Sequence, residues 1–336
     1  MPRSVIARAP TRIDFGGGWT DVPPYPETDG GCVCNVAISR FATVRIRETE
    51  NDQGGAVVTT SGQPADGGPL VSAAVRRAGL RGAEVTLRSD FPTGAGLGGS
   101  SAAGVALQGA LAAWRGDPFE RDLAALAERS RDVEVVDLGV AGGRQDHYAA
   151  AFGGALGLRF TDHVAVQRIA LAGPTRLELE RRALLIYTGQ SRVSGDTVSA
   201  VIEAYRGRSP RVVAALARLK ALAEQMIGAL TDGNIDALAS FVAEHWTHQR
   251  SLHPAITTQR IDTIMERAAA AGALGGKALG ASGGGCVLLI AGEMTVDAVR
   301  EAVAPLGELL AFEVDSSGLT TVSPNDRVTT GGAQWA

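Results

Sequence analysis

The run Pro92-Thr93-Gly94-Ala95-Gly96-Leu97-Gly98-Gly99-Ser100-Ser101-Ala102-Ala103 holds the residues of this chain best suited to gripping an anion. Glycine reaches positive φ without steric cost, so successive backbone N–H groups can turn inward on one point. A helix starting at the serines would add the positive end of its dipole. Phosphate is the natural guest, and a plain strand-to-helix turn would have no use for so many glycines. Gly94, Gly96 and Gly99 also satisfy the G-x-G-x-x-G pattern of dinucleotide sites. That match is weak alone. A proline precedes the glycines, and the paired serine hydroxyls suit a metal or a phosphate better than a pyrophosphate. A Walker A loop is absent, because Gly276-Lys277 is followed by Ala278 rather than by a hydroxyl residue. The protein-kinase motif set is missing as well.

Two more glycine-rich segments flank this loop: Arg12-Ile13-Asp14-Phe15-Gly16-Gly17-Gly18-Trp19-Thr20-Asp21 before it and Gly280-Ala281-Ser282-Gly283-Gly284-Gly285-Cys286 after it. In this order the three resemble the motifs of the GHMP kinases, the galactokinase, homoserine, mevalonate and phosphomevalonate kinase group. The resemblance implies an α+β fold of two domains. Residues 1–180 would form an N-terminal domain like ribosomal protein S5 domain 2, and residues 181–336 a ferredoxin-like C-terminal domain, with ATP and substrate in the cleft between.

Phosphoryl transfer needs cradled phosphates, neutralised charge and an aligned hydroxyl more than covalent help from protein. By the resemblance, Gly94, Ala95, Gly96, Leu97, Gly98, Gly99, Ser100 and Ser101 would hold ATP. Glu134, with Ser100 and Ser101, would ligate Mg²⁺, which favours a few hard oxygens plus substrate phosphate. Asp146 would accept the proton of the substrate hydroxyl. Arg12 would keep that acid ionised and balance charge developing on the phosphoryl group. Asp14, Gly17, Gly18, Thr20, Asp21, Gly143, Gln145, Gly283 and Gly284 would surround the acceptor, Thr20 and Asp21 as the sugar-contacting pair. Plainer readings exist: a surface charge for Glu134, with Glu128 and Asp132 close by, a helix cap for Asp146, a turn cap for Asp21, and a simple loop-to-strand turn for the third glycine segment.

The acceptor is read from local context. Gly17-Gly18-Trp19-Thr20-Asp21 followed by Pro23-Pro24-Tyr25 looks like L-fucokinase. Gly142-Gly143-Arg144-Gln145-Asp146, Thr188 to Ser194 and Gly275-Gly276-Lys277 look like the bacterial D-glycero-D-manno-heptose 7-phosphate kinases, although His147 stands where glutamine is common there. An acceptor already carrying phosphate needs fixed cations to replace its hydration, and Arg144, Arg192 and Lys277 are the candidates. The expectation is transfer from ATP to the anomeric hydroxyl of a heptose 7-phosphate, with L-fucose or another sugar such as galactose as the alternative. A catalytically inactive nucleotide- or sugar-binding homologue is the rival of another class, and the joint presence of Arg12, Glu134 and Asp146 argues against it.

These residues need rigid elements behind them. Alternating β-branched residues predict strands over Ser4 to Ile13, Gly31 to Ile46, Glu84 to Leu87, Ala155 to Phe160 and Ala183 to Tyr187. A helix follows Pro69, and the spacing of Leu107, Ala110, Leu111 and Trp114 predicts another after the serines. Asp117, Pro118 and Glu120 read as the start of a helix reaching Arg131. A short helix from Gln145 should end at Gly153-Gly154. Helices near 196–206, 210–231, 234–249 and 258–271 follow, then a glycine-rich loop, a strand at Cys286 to Ile290, a helix near 295–304 and two closing strands.

Across 336 residues the net charge is only −4, with 45% hydrophobic and 20% charged residues. This gives no electrostatic footprint for nucleic acid or an anionic membrane and points to a small-molecule partner. No apolar run approaches the roughly 20 residues needed to span a bilayer, and the N-terminal segment lacks a secretory core, so a cytoplasmic location is expected. A homodimer would be common for such a kinase. Cys32, Cys34 and Cys286 read as buried thiols. His245, His248 and His253 lack the spacing of a zinc site and read as packing residues, as does Trp246.

Overall fold

The computed structural model describes residues 3–49, 57–60, 67–190 and 195–322. Two sheets carry the chain. In the first, β1 (Ser4–Gly16) and β2 (Gly31–Glu48) pair antiparallel along nearly their whole length, with shifts in register at Pro10/Thr11 and Asp14/Gly16. Pro10 has no N–H to give a ladder, so a shift beside it is the expected accommodation. β2 is long enough to serve two neighbours. Ala42–Glu48 pairs with β4 (Ala83–Ser89), and Gly31–Val36 pairs with β5 (Ala155–Phe160). β3 (Val57–Thr60) lies parallel to β4, β6 (Val164–Ile169) antiparallel to β5, and β11 (Thr320–Val322) antiparallel to β1.

One face of this sheet is covered by α2 (Gly67–Ala78), α3 (Gly99–Arg115), α4 (Leu123–Asp132) and α5 (Gln145–Phe152). Their shared core includes Val44, Ile46, Val85, Leu107 and Leu126, all fully buried. The second sheet has the order β10 (Glu308–Leu309), β7 (Ala183–Tyr187), β9 (Cys286–Ala291), β8 (Ala273–Ala278), all antiparallel. Around it lie α7 (Gly195–Arg206), α8 (Pro210–Thr231), α9 (Ile235–Leu252), α10 (Gln259–Ala270) and α11 (Val296–Val303). Two short helices, α1 (Tyr25–Asp29) and α6 (Gly173–Arg182), complete the set. α8 and α9 join the halves: Leu222 and Met226 of α8 and Val242 of α9 pack with Ile13, Phe15 and Cys34 of the first sheet and Leu288 of β9.

Most expected elements stand where periodicity placed them, and the differences have local causes. The helix expected from Asp117 begins at Leu123, because Asp122 rather than Asp117 caps it, accepting from Ala125 N, and Phe119–Arg121 forms a 3₁₀ turn instead. The region expected as a glycine-rich loop contains β8. Gly275 is needed there because a Cβ would overlap the Ala239 carbonyl of α9, so glycine marks close helix approach rather than a loop. β3, β6 and α6 were not foreseen. The two closing strands part company, β10 joining the second sheet and β11 returning to the first. Among the described residues no helix is long and apolar enough to cross a membrane.

Candidate active site

The glycine loop enters α3 as its composition demands. Gly94, Gly96 and Gly98 all have φ near +70°, and Gly98 serves as the left-handed residue from which the helix starts. Ala102 N donates to Gly98 O, so the N–H groups of Gly99, Ser100 and Ser101 belong to the unpaired first turn. The N–H groups of Gly96, Leu97 and Gly98 also find no partner among the described residues. Donors gathered at the start of a 17-residue helix fit a nucleotide phosphate chain. Other elements fix the loop. Arg12 N donates to Leu97 O and the Arg12 guanidinium to Gly96 O at 2.7 Å. Cys286 N donates to Ala95 O, and a Cβ on Gly96 would lie 2.7 Å from Leu279 O.

Asp146 stands beside this loop. A Cβ on Gly98 would lie 3.0 Å from the Asp146 carboxyl carbon, and Arg12 Nη2 is 2.7 and 2.9 Å from the two carboxylate oxygens. Burial raises the Asp146 pKa, Arg12 works against it, and the net direction is upward. Glu134 belongs to a single π-helical turn, Val133–Asp137, that continues α4. Its Oε2 lies 3.2 Å from Ser101 Oγ and 3.0 Å from His147 Nε2. Burial opposes its ionisation, but hydrogen bonds from His147 and both serines outweigh burial and lower its pKa. A carboxylate and a hydroxyl side by side at this glycine loop are hard oxygen donors, the set that Mg²⁺ takes beside phosphate. Ser101 is buried in this cluster and Ser100 is exposed at its rim.

Several residues expected around the acceptor have other duties. The Thr20 hydroxyl donates to Gly17 O at 2.7 Å and accepts from Cys32 N at 3.1 Å, so it ties the loop to β2 rather than facing a sugar. Asp21 Oδ2 accepts from Arg144 N and Gln145 N at 2.9 and 3.0 Å. Through this oxygen it caps α5 from a distant part of the chain. A Cβ on Gly143 would overlap that carboxylate, which accounts for the glycine. Gly17 N donates to His245 Nε2 of α9 at 2.9 Å, and Gly18 faces Asp14 and Gln145. Gly283 N donates to Ile256 O and a Cβ on Gly284 would press on Gln190 O, so both glycines pack the third loop, while the Gly284 N–H finds no partner among the described residues.

The three candidate cations also divide. Lys277 is fully buried with Nζ 2.9 Å from Asp14 Oδ2, which removes it from phosphate recognition; an ammonium buried against a carboxylate is already spoken for. Burial lowers its pKa, and Asp14 offsets part of that. Arg144 lies 3.4 Å from Glu128, and its Nε and one terminal nitrogen lack hydrogen-bond partners among the described residues. Arg192 lies outside the described residues. Among the described residues, Asp14 Oδ1 and Gln145 Oε1 are buried without hydrogen-bond partners, and they are polar atoms suited to sugar hydroxyls.

Ser130 and His147 were missed as site residues. His147 Nδ1 lies 3.0 Å from Ser130 Oγ, and Nε2 reaches Glu134. Ser130 and Glu134 are four residues apart on one helical stretch, a spacing that places both on one face and could have flagged the pair. His245 is buried, as a packing histidine should be, and also holds the first glycine loop. The three cysteines are free and buried, and burial raises their pKa values, that of Cys286 to about 12.

The chain as a whole resembles known proteins. The D-glycero-alpha-D-manno-heptose 7-phosphate kinase of Campylobacter jejuni is 27% identical over 84% of this chain and 88% of its own length. The bifunctional fucokinase/GDP-fucose pyrophosphorylase of Arabidopsis thaliana is 27% identical over 94% of this chain, which spans only 32% of that protein. The crystal structure of a D-glycero-D-manno-heptose 1-phosphate kinase from Bacteroides thetaiotaomicron superposes with a TM-score of 0.75 at 25% identity, covering 96% of this chain and all of that one. Residues 69–154 match the GHMP kinases N terminal domain and residues 219–307 the GHMP kinases C terminal domain. Together these segments make up more than half of the sequence, and with the two-domain fold they establish that the chain belongs to the GHMP kinase family.

Proposed function

We propose that this protein is a sugar kinase that transfers the γ-phosphoryl group of ATP to the anomeric hydroxyl of a heptose 7-phosphate. The observation that carries the reading is the contact of Gly98 with Asp146, with Arg12 joining the two through Gly96 O and the carboxylate. It sets a candidate proton acceptor against a candidate phosphate cradle, the juxtaposition that phosphoryl transfer to an alcohol requires.

The roles follow from the contacts. Backbone N–H groups of Gly96 to Ser101 grip the nucleotide phosphates. Ser101 and Glu134 would hold Mg²⁺, which supplies charge neutralisation on those phosphates when bound. Asp146, with its raised pKa, takes the proton of the attacking hydroxyl. Arg12 orients the Asp146 carboxylate and lies where charge on the transferred group can be balanced. Asp14 Oδ1 and Gln145 supply hydrogen bonds to sugar hydroxyls.

The closure of Lys277 by Asp14 favours a second reading, a neutral acceptor such as L-fucose, because it leaves Arg144 as the cation among the described candidates for a distal phosphate. Turnover assays with ATP and heptose 7-phosphate, L-fucose, mannose and galactose, with NMR of the anomeric carbon of each product, decide between them. Preference for the bisphosphorylated product supports the heptose reading, and preference for L-fucose 1-phosphate replaces it. ATP binding with no turnover on any sugar would mark a binding homologue.

A further inference from the structure

Asp146 and His147 are neighbours on α5 yet touch different groups. Asp146 meets Arg12 and Gly98, while His147 lies buried among Ser130, Glu134 and Ser101. The ring therefore links three helical segments: α3 through Ser101, the α4 and π-turn stretch through Ser130 and Glu134, and α5 itself. Ser130 has no other hydrogen-bond partner among the described residues. The Glu134 carboxylate accepts, and its Oε2 faces Nε2 at 3.0 Å with Ser101 Oγ at 3.3 Å, so a ring hydrogen on Nε2 satisfies it, and the Ser130 hydroxyl, 3.0 Å from Nδ1, is placed to complement that tautomer by donating. Room for this contact comes from Gly104, where a Cβ would lie 2.5 Å from Ser130 Oγ.

We propose that His147 is a positioning residue for the metal, holding the Glu134 carboxylate and the Ser101 hydroxyl in one orientation, with Ser130 fixing its tautomer. The proposal rests on the reading of Glu134 and Ser101 as the Mg²⁺ ligands. A carboxylate on a π-turn at a helix end has several rotamers open to it, and a buried donor on a third helix selects one. Groups that orient metal ligands in this way change metal affinity when removed, by about 10–100-fold.

Mn²⁺ titrated into the protein with a non-hydrolysable ATP analogue, free metal being read by EPR, tests this without turnover. His147→Ala should weaken Mn²⁺ binding about ten-fold or more, with metal-free affinity for the analogue within about two-fold of wild type. His147→Gln, which can offer an amide N–H to Glu134, should recover most of the loss, and Ser130→Ala should show a smaller loss in the same direction. A purely structural role would lower thermal stability and leave the metal affinity alone. Mn²⁺ affinity within about two-fold of wild type in folded His147→Ala overturns the proposal; should that variant not fold, unchanged affinity in Ser130→Ala does the same. Wild-type protein that binds the analogue with no added affinity for metal overturns the ligand assignment itself, and this proposal with it.

Discussion

Asp146 is under two opposed influences, desolvation that favours its neutral form and the Arg12 guanidinium that favours its charge, and the first prevails in direction. A carboxylate shifted this way is a stronger proton acceptor near neutral pH than a free one. Asparagine keeps its volume and removes that capacity. Asp146→Asn should therefore lose about 10²–10⁴-fold in kcat with little change in ATP affinity, checked by steady-state kinetics beside nucleotide titration. Near-normal turnover would remove Asp146 from the role. Asp21 shows a different consequence of burial. Desolvation, with Asp14 and Asp146 nearby, pushes its carboxyl up to about 6, above the ~3.9 of an unfolded chain. Between those values the folded protein holds more protons than the unfolded one, so this group's contribution to stability grows as pH falls and is least favourable above about 6. Asp21→Asn cannot titrate. Urea unfolding at pH 7 and 4.5 should show wild type gaining about 2 kcal/mol on acidification relative to the variant; an equal pH response in both would place the Asp21 carboxyl at an ordinary pKa.

Elements decide where these residues stand, and α5 is the one on which the site turns. Its eight residues carry Gln145, Asp146 and His147, and its N-terminus is held by Asp21 from the loop after β1. The adjacent glycines give a sharp contrast. Gly142 has open space where a Cβ would go, whereas a Cβ on Gly143 would overlap the Asp21 carboxylate. Gly142→Ala should stay within about 0.5 kcal/mol of wild type and keep its activity. Gly143→Ala should lose about 2 kcal/mol or more and most of its turnover, read by thermal unfolding and initial rates. Similar behaviour of the two would mean that Asp21 does not cap α5. The contrast also shows where sequence reading reaches. The strands around Gly31 to Ile46 and the helices of the second half announce themselves by period, and the glycine loop by composition. The hold of Asp21 on the α5 N-terminus was not legible, because that partner is more than a hundred residues away and no local pattern records such a cap. Asp122 went unseen as a cap because Asp117-Pro118 formed a stronger local signal. β8 hid behind Gly275 and Gly276, whose purpose is the approach of α9 rather than a turn.

At the scale of the whole molecule, the second half is tied to the first by a strand, an apolar seam and one buried ion pair. β11 returns to the edge of β1, α8 and α9 bury one face of β1 and β2, and Lys277 of β8 meets Asp14 of β1 in full burial. Sequence alone marked Lys277 as a free cation, since nothing local reveals a carboxylate 263 residues away. A buried ion pair gains little over an apolar pair of equal shape, but removal of one partner leaves an uncompensated charge and costs about 3–5 kcal/mol. Lys277→Met should show a loss of that order by urea unfolding. Asp14→Asn in the same chain removes the stranded charge, so the double variant should be more stable than the sum of the single losses implies. Additive losses would mean that the two charges do not face each other, and the acceptor side of the site would then lack the tie to the second half described above.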